Sequence, residues 1–383
     1  MEIAKLITSL PATLSSLIIL ISAAVPLAGA AADHPLTDDS KCGCFLTNGT
    51  SASYFSHHDF YDFRDQGQYA RVPPVITSTA DTSAADATSD YFKASGWTDR
   101  WMLGGWNNSG DAGRSDATVL MINSPNNIYI EKNTDPAAPA SQTWLTLRTQ
   151  RLAGFQTAAE IESVSAGYHF LSMRMLARTV GASGAITAMF TYRGAPALAD
   201  VQEADLEVRT LDHPRNLVHY TNQPSYTEDG GTVDKATKNA TMPYGMDWTS
   251  WAVHRFDWTP TTSTWYVDGH VVANISVQTP RDSSKVILNA WSDGGAWAGN
   301  MTEQEAAYLQ IQWFELVYNS TDPKLRAEGQ GNCTSVCSVD ETSKQGQPVL
   351  LWGNGALSRA DGLGSWMVWI PSVLVMGLML VTS

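Results

Sequence analysis

Three acidic residues alternate with apolar residues in the segment 201–210, and this spacing is the strongest chemical signal in the chain. A repeat of two residues is typical of a β-strand, so Glu203, Asp205 and Glu207 are predicted to share one face. Like charges on one strand face repel each other, which makes the arrangement costly unless a metal ion or a reaction requires it. The alternative is an acidic edge strand that only faces solvent.

Two carboxyl groups at this spacing can divide the work of acid, base and nucleophile. The Cα atoms of Glu203 and Glu207 should lie about 13 Å apart on a strand, and two side chains that lean together close most of that gap. The crowding should raise the pKa of at least one of the three acids. A protonated carboxyl beside an ionised one is the pair that retaining glycoside hydrolysis uses.

The elements that position these acids are predicted to be strands. Alternating or continuous apolar patterns predict strands at residues 143–149, 170–176, 186–192, 251–258, 263–267, 286–291 and 309–318. Asp268 and Gly269 predict a tight hairpin turn. Helical periodicity is absent over long windows, although Thr302 and Glu305 could form a capping box for one short helix. Many antiparallel strands without helices indicate an all-β sandwich or jelly roll.

Four further motifs follow the acidic strand in order: Phe256-Asp257-Trp258-Thr259-Pro260, Trp265-Tyr266-Val267-Asp268-Gly269, Val286-Ile287-Leu288-Asn289-Ala290-Trp291 and Gly294-Gly295-x-Trp297. Together with Glu203-Ala204-Asp205-Leu206-Glu207, this set resembles the family 16 glycoside hydrolases, whose mark is Glu-x-Asp-x-Glu on a strand. The resemblance covers roughly residues 170–318. It implies a concanavalin A-like jelly-roll β-sandwich with one catalytic domain.

The resemblance also assigns roles to single residues. It makes Glu203 the nucleophile and Glu207 the general acid/base, with Asp205 assisting. It implies a substrate-binding set of His219, Tyr220, Asn222, Asn289, Trp291 and Trp297.

The implied function is a retaining, endo-acting hydrolase on the β-1,3(4)-linked glucan of a cell wall. Ala204 and the pair Val208-Arg209 depart from the family's usual residues, so the subgroup and its substrate stay open. A transglycosylase with the same glycosyl-enzyme intermediate and a non-catalytic carbohydrate-binding protein are the alternatives. We expect a monomer that needs no cofactor and no metal ion at the acidic face, although calcium at that face is a third possibility. A structural calcium ion elsewhere, as in relatives, also stays open.

The first residues have the pattern of a secretory signal. Lys5 precedes an apolar run over 14–25, and Ala28-Gly29-Ala30 is a small-residue cleavage site. The alternative is a membrane-anchoring helix, but the run is short for a span.

The last residues have the pattern of a signal for a glycosylphosphatidylinositol anchor. Small residues around Asn354, a polar spacer and the apolar tail 366–381 occur in the order that such anchors require. Asn354 is the predicted attachment site, with Gly353, Gly355 and Ser358 as alternatives. A retained tail helix is the competing interpretation. We therefore expect a secreted protein at the cell surface or wall, attached to the plasma membrane only through the lipid.

Four cysteines support an extracellular location. An even count in a secreted chain indicates disulfides, here two bridges that join the ends of the folded domain, formed by Cys42, Cys44, Cys333 and Cys337. Their pairing stays open, and a zinc site is the less favoured alternative because an oxidising compartment disfavours it.

Glycosylation and charge agree with that location. Sequons predict glycans at Asn48, Asn107, Asn239, Asn274, Asn300, Asn319 and Asn332. The formal charge of −14 argues against nucleic acid as a partner, since nucleic acid requires a basic face. The predicted organisation is a signal peptide at 1–30, a β-sandwich catalytic domain at 31–325, a cysteine-containing segment at 326–354 and an anchor propeptide at 355–383.

Overall fold

The computed structural model describes residues 34–109, 116–329 and 332–353. The predicted signal peptide and the predicted anchor site Asn354 lie outside these residues. No helix within the described ranges is long and apolar enough to cross a membrane.

The described residues form β-strands and a few short α-helices. The strands are β1 (Cys44–Leu46), β2 (Tyr54–Phe55), β3 (His57–Asp62), β4 (Trp101–Leu103), β5 (Leu120–Asn123), β6 (Ile128–Lys132), β7 (Thr143–Leu152), β8 (Phe155–Ser163), β9 (Tyr168–Gly181), β10 (Ile186–Arg193), β11 (Gln202–Arg209), β12 (Leu217–Gln223), β13 (Thr237–Thr241), β14 (Ala252–Trp258), β15 (Ser263–Val267), β16 (His270–Ile275), β17 (Lys285–Trp291), β18 (Ala306–Ser320), β19 (Val336–Ser338) and β20 (Val349–Trp352). The helices are α1 (Thr79–Thr82), α2 (Ser95–Thr98) and α3 (Pro323–Glu328).

The main sheet is one hydrogen-bonded ladder that folds over on itself. Its order is β13-β12-β11-β10-β17-β8-β7-β18-β9-β14-β15-β16. The fold-over occurs at β8, whose residues 155–157 pair with β7 and whose residues 159–162 pair with β17. At the other end, β16 lies against β12 and β13. The result is a nearly closed sandwich, which confirms the predicted all-β jelly-roll class.

The core lies between the two layers. Met189 of β10 and Leu206 of β11 come from one layer, and Met173 of β9 and Phe256 of β14 come from the other. All four side chains are at most 2% exposed. At about 25 cal/mol per Å² of apolar surface, burial of this core is the main force that holds the layers together.

The predicted strands and the predicted hairpin are confirmed. The seven segments correspond to β7, β9, β10, β14, β15, β17 and β18. Asp268 and Gly269 join β15 to β16 with φ values of 46° and 80°. Two positive φ values match the twist of a two-residue hairpin, and glycine adopts such a value without steric cost.

The short helix predicted at Thr302 does not form. Gln304 has a left-handed φ of 72°, which ends any helical turn, and Glu305 N–H donates to Thr302 O at 3.1 Å in a single turn before β18. The N–H of Gln304 donates instead to Arg151 O in the neighbouring strand at 2.8 Å. The prediction was wrong because the Gln304 N–H bonds to the neighbouring strand and the left-handed φ of Gln304 prevents a second helical turn.

A second, four-stranded sheet joins the two ends of the described chain. Its order is β2-β1-β19-β20, and disulfides link Cys42 to Cys337 and Cys44 to Cys333. Two bridges between the ends of the domain were predicted, and the structure confirms them and supplies the pairing. The small sheet packs on Val317 of β18, while the next residue on each side of Val317 enters the main core. The small sheet therefore covers the outer face of the layer that contains β18.

Candidate active site

Strand β11 holds the acidic residues on the outer face of the other layer. It pairs with β10 on one side and β12 on the other, so its backbone is fixed along its length. Ala204 and Leu206 are at most 2% exposed in the core. Glu203, Asp205 and Glu207 point the opposite way, as the alternation predicted, and line a groove of about 790 Å³.

The groove crosses six neighbouring strands. Its floor follows the paired residues of β8, β17, β10, β11, β12 and β13, and connecting segments form its sides. Side chains on the floor and walls include Trp106, Glu160, Tyr192, His219, Gln223, Tyr226, Asn239, Asn289, Trp291 and Trp297. Flat aromatic rings beside hydrogen-bonding side chains suit a polar ligand with apolar faces, such as a sugar.

Glu203 and Asp205 form a hydrogen-bonded carboxyl pair. Burial raises the pKa of both groups, and the hydrogen bond raises the pKa of Asp205 further while it lowers that of Glu203. The hydrogen bond therefore has Asp205 as its donor and Glu203 as its acceptor, and it partly offsets the burial that raises the pKa of Glu203 to about 8. Gln223 Nε2 donates to Asp205 Oδ2 at 3.4 Å, so β12 also holds the Asp205 carboxyl group.

Glu207 lies at the other end of the acidic row, beside aromatic groups. Trp297 Nε1 donates to Glu207 Oε2 at 3.1 Å. His219 is the residue paired with Glu207 on β12, and its ring lies 5.1 Å from that of Trp297 at 73°. Repulsion from Glu207 contributes to the raised pKa of Glu203, so the two glutamates interact across the face. The arrangement places a carboxyl group that accepts a hydrogen bond from Asp205 and a second, separately held carboxyl group in one groove.

Most of the predicted substrate-binding residues are brought together. Asn289 and Trp291 on β17 line the groove, as do His219 and Trp297. Asn289 lies in the same cross-strand row as Glu207, with Ala188 between them. Its Oδ1 is buried and makes no hydrogen bond to the described residues, which suits an atom that accepts from a ligand.

Tyr220 and Asn222 do not belong to the groove, and their predicted role is corrected. Both alternate with His219 on β12 and therefore face the core. Tyr220 is 1% exposed and packs on Trp265. Asn222 is fully buried, and its Nδ2 donates to Val277 O at 2.9 Å. Side chains alternate along a strand, so the two positions next to an outward-facing His219, or an even number beyond them, cannot face the groove.

Glu160 on β8 is a groove residue that sequence reasoning missed. It is 6% exposed and accepts a hydrogen bond from Trp106 Nε1 at 2.6 Å. Burial raises its pKa to about 6, and the charge of Glu162 adds to the increase. Asn289 pairs with Glu160 across the strands. The two glutamates at a spacing of two in β8 repeat the signal of β11 and would have indicated this site.

The expectation that the acidic face binds no metal ion stays a prediction, as does the alternative of calcium at that face. In the described ranges no group of three His, Cys, Asp or Glu side chains is arranged to hold a metal. A structural calcium ion stays a prediction.

The sequons differ in position. Asn48, Asn239, Asn274, Asn300 and Asn332 are exposed, and Asn107 and Asn319 are partly buried. Asn239 lines the groove, where its Oδ1 lies 2.9 Å from His219 Nδ1. Glycosylation stays a prediction at all seven.

Comparison with known proteins agrees with the geometry. The sequence model of the glycosyl hydrolases of family 16 matches residues 121–315. The β-glucanase of Bacillus amyloliquefaciens is 26% identical over 150 residues, which are 38% of this chain and 58% of that protein. That of Paenibacillus polymyxa is 26% identical over 156 residues, or 40% of this chain and 60% of that protein. The match thus spans less than two thirds of these relatives. The solved β-glucanase of Bacillus licheniformis is 21% identical, with a TM-score of 0.45 over 58% of this chain and 94% of that one.

Proposed function

Because the chain belongs to family 16 of the glycosyl hydrolases, we propose that it is a retaining, endo-acting glycosidase of β-1,3(4)-linked glucan. The observation that carries the proposal is the acidic row of β11, in which Asp205 donates a hydrogen bond to Glu203 and Trp297 donates one to Glu207. The row lies in an open groove rather than on a solvated edge. This supports chemistry at the row over a purely structural role.

Each member of the row has one task. Glu203, ionised beside its hydrogen-bonded partner, attacks the anomeric carbon and forms the glycosyl-enzyme bond. Glu207 gives its proton to the glycosidic oxygen as the bond between that oxygen and the anomeric carbon breaks. The same carboxylate then takes a proton from the acceptor that attacks the intermediate. Asp205 keeps the charge on Glu203 through its hydrogen bond.

The extent of the groove supports a polymeric substrate. Six strands at about 4.8 Å per strand give a floor roughly 24 Å wide, which accommodates several sugar units on both sides of the acidic row. Trp106, Trp291 and Tyr226 present rings on which pyranose faces can stack. Action within a chain requires this access on both sides of the cleaved bond. The named relatives are β-glucanases, and a β-glucan is the substrate that we propose here.

We also propose that the protein acts outside the cell, at a cell wall, attached by a lipid anchor. The two disulfides between the ends of the domain support folding in an oxidising compartment. Immunoblots of protein released from intact cells by a phosphatidylinositol-specific phospholipase test the anchor, with Asn354→Gln as the variant that should abolish release.

Azide rescue tests the catalytic roles. Glu203→Ala and Glu207→Ala should each reduce turnover of soluble β-glucan at least about 10³-fold. With an activated aryl glycoside, azide should give an α-glycosyl azide with Glu203→Ala and a β-glycosyl azide with Glu207→Ala. Reversed anomers would exchange the two roles. Unchanged turnover in both variants would refute the assignment of the two glutamates, and binding of glucan without turnover by the unsubstituted protein would leave only a carbohydrate-binding protein.

The fate of the intermediate is decided by the acceptor. Incubation of the enzyme with β-glucan and a fluorescent oligosaccharide separates the outcomes, since labelled products longer than the acceptor indicate transfer. Products that only become shorter indicate hydrolysis. A panel of β-1,3-, mixed-linkage and chitin-type glycans determines the linkage.

A further inference from the structure

Trp297 is a hydrogen-bond donor to Glu207 and connects it to the side chains around the end of β11. Its indole N–H donates to Glu207 Oε2 at 3.1 Å, so the position of the ring sets the orientation of that carboxyl group. The ring is only partly buried, and two polar neighbours hold it. The Arg209 guanidinium lies over it at 4.2 Å from the ring centre, and the His219 ring meets it at 5.1 Å. A cation over an indole face is a favourable contact.

Asp212 connects those two neighbours. His219 Nε2–H donates to Asp212 Oδ2 at 2.6 Å, and Arg209 Nε lies 3.7 Å from Asp212 Oδ1. The side chains of His219, Asp212 and Arg209 are 4%, 12% and 16% exposed, so water screens their interaction only weakly. One carboxylate thus restrains both groups that hold Trp297.

A turn at the end of β11 brings Asp212 beside Arg209 and His219. Asp212 N–H donates to Arg209 O at 3.1 Å, which turns the chain back where β11 ends. Arg209 has the same strand parity as Glu203 and Glu207 and therefore leaves β11 on the groove side. Asp212 itself is not among the residues that line the groove.

We infer that Asp212 is a positioning residue for the general acid/base: it fixes Arg209 and His219 around Trp297, and Trp297 fixes Glu207. The inference rests on the proposed function of Glu207. Loss of the Asp212 charge would loosen both contacts with Trp297 together. A displacement of about 1 Å at a catalytic group can cost as much as 100-fold in rate.

The leaving group reveals whether proton transfer is affected. Departure of a sugar or a phenol needs the Glu207 proton, whereas 2,4-dinitrophenolate leaves without it. For Asp212→Asn we expect kcat/KM to fall about 10- to 100-fold on β-glucan and on a phenyl oligoglucoside. On the matching 2,4-dinitrophenyl oligoglucoside it should stay within about twofold.

The second half of the reaction gives an independent readout. With the dinitrophenyl substrate, kcat is limited by attack on the intermediate, which needs Glu207 as a base. For Asp212→Asn we expect kcat and KM to fall together on this substrate, and azide to restore kcat because it needs no base. A change that merely loosened the fold would lower kcat/KM on every substrate and would not respond to azide.

Asp247 supplies a matched control. It lies 3.8 Å from Arg215 Nη2, and Arg215 in turn lies over the ring of Trp248. This repeats the aspartate–arginine–tryptophan arrangement with no contact to the groove. Asp247→Asn should leave all rates unchanged, and Asp212→Glu should recover most of the loss. Equal losses on both aryl substrates, or no loss on either, would overturn the inference.

A second variant keeps the test decisive if Asp212→Asn folds poorly. Trp297→Phe preserves a ring for Arg209 but removes the N–H donor, and it should give the same dependence on the leaving group. Absence of that dependence would also overturn the inference. Full activity of Glu207→Ala would instead refute the proposed function, so the two failures are distinguishable.

Discussion

The hydrogen bond between Asp205 and Glu203 predicts a shift in the pH dependence of activity when it is removed. Burial and repulsion from Glu207 raise the pKa of Glu203, and the Asp205 hydrogen bond acts in the opposite direction. Asp205→Ala removes only the lowering contribution. The pKa of Glu203 should therefore rise. Since attack requires ionised Glu203, the acid limb of kcat/KM should move to higher pH.

The size of the shift follows from the type of bond. A hydrogen bond to a charged group contributes about 1.5–3 kcal/mol, and one pKa unit corresponds to about 1.4 kcal/mol. Asp205→Ala should therefore move the acid limb upward by about one to two pH units. Asp205→Asn keeps an N–H donor toward Glu203. The acid limb of its kcat/KM profile should therefore lie within about half a pH unit of the limb of the unsubstituted enzyme.

The assay is the pH profile of kcat/KM on an activated aryl oligoglucoside, because this ratio reports ionisation in the free enzyme. Thermal unfolding at each pH shows that both variants remain folded over the range compared. An acid limb that stays in place, or moves to lower pH, in folded and active Asp205→Ala would refute the reasoning. A shift of equal size in Asp205→Asn would show that an amide N–H cannot replace the carboxyl O–H as the donor to Glu203.

Three further predictions concern stability and binding. Burial lowers the pKa of His58, but hydrogen bonds and charges from Asp39 and Glu315 outweigh burial and raise the pKa to about 9. Protonated His58 should therefore contribute roughly 3 kcal/mol to the free energy of unfolding. This contribution should be fully present below pH 6.5 and disappear as the pH rises through about 9. His58→Gln should flatten this slope in urea midpoints measured from pH 6 to 10, and an unchanged slope would exclude His58 as its source. Replacement of Cys42 and Cys337 by serine leaves the nested bridge Cys44–Cys333 in place, so it opens a loop of only about six residues between the two bridges and should cost roughly 2 kcal/mol in urea unfolding. An unchanged midpoint would contradict this. Glu160→Ala should raise KM for β-glucan about tenfold with kcat within about twofold, whereas a fall in kcat alone would place Glu160 in the chemical step.

The sequence was sufficient for the fold class and for the acidic row because both depend on local alternation. The period of two that put Glu203, Asp205 and Glu207 on one face is imposed by strand geometry and holds in any sheet. The Asp-Gly turn was equally local. The helix expected at Thr302 does not form because Gln304 adopts a left-handed φ and bonds to the neighbouring strand.

The rest of the site depends on which strands become neighbours. Glu160 is distant from β11 in sequence and reaches the groove only because β8 pairs with β17. Tyr220 and Asn222 were assigned to the groove from a resemblance, and only the register with β11 decides that His219 takes the outward position. The link from Asp212 to Glu207 passes through Trp297, which lies 85 positions beyond Asp212 (297 − 212). No periodicity in the chain encodes that contact.

The small disulfide-linked sheet determines where the proposed lipid anchor would join the domain. Leu36 bridges to Val349, so both ends of the described chain emerge beside this sheet, on the back of the sandwich, while the acidic row opens on the front. A tether that begins after Gly353 would therefore hold the molecule by its back and aim the groove outward. Polymer strands lying above the surface would be within reach, and the tether itself would not obstruct them. The length of that tether, rather than any change in the groove, would then determine how far into the surrounding matrix the enzyme can cut.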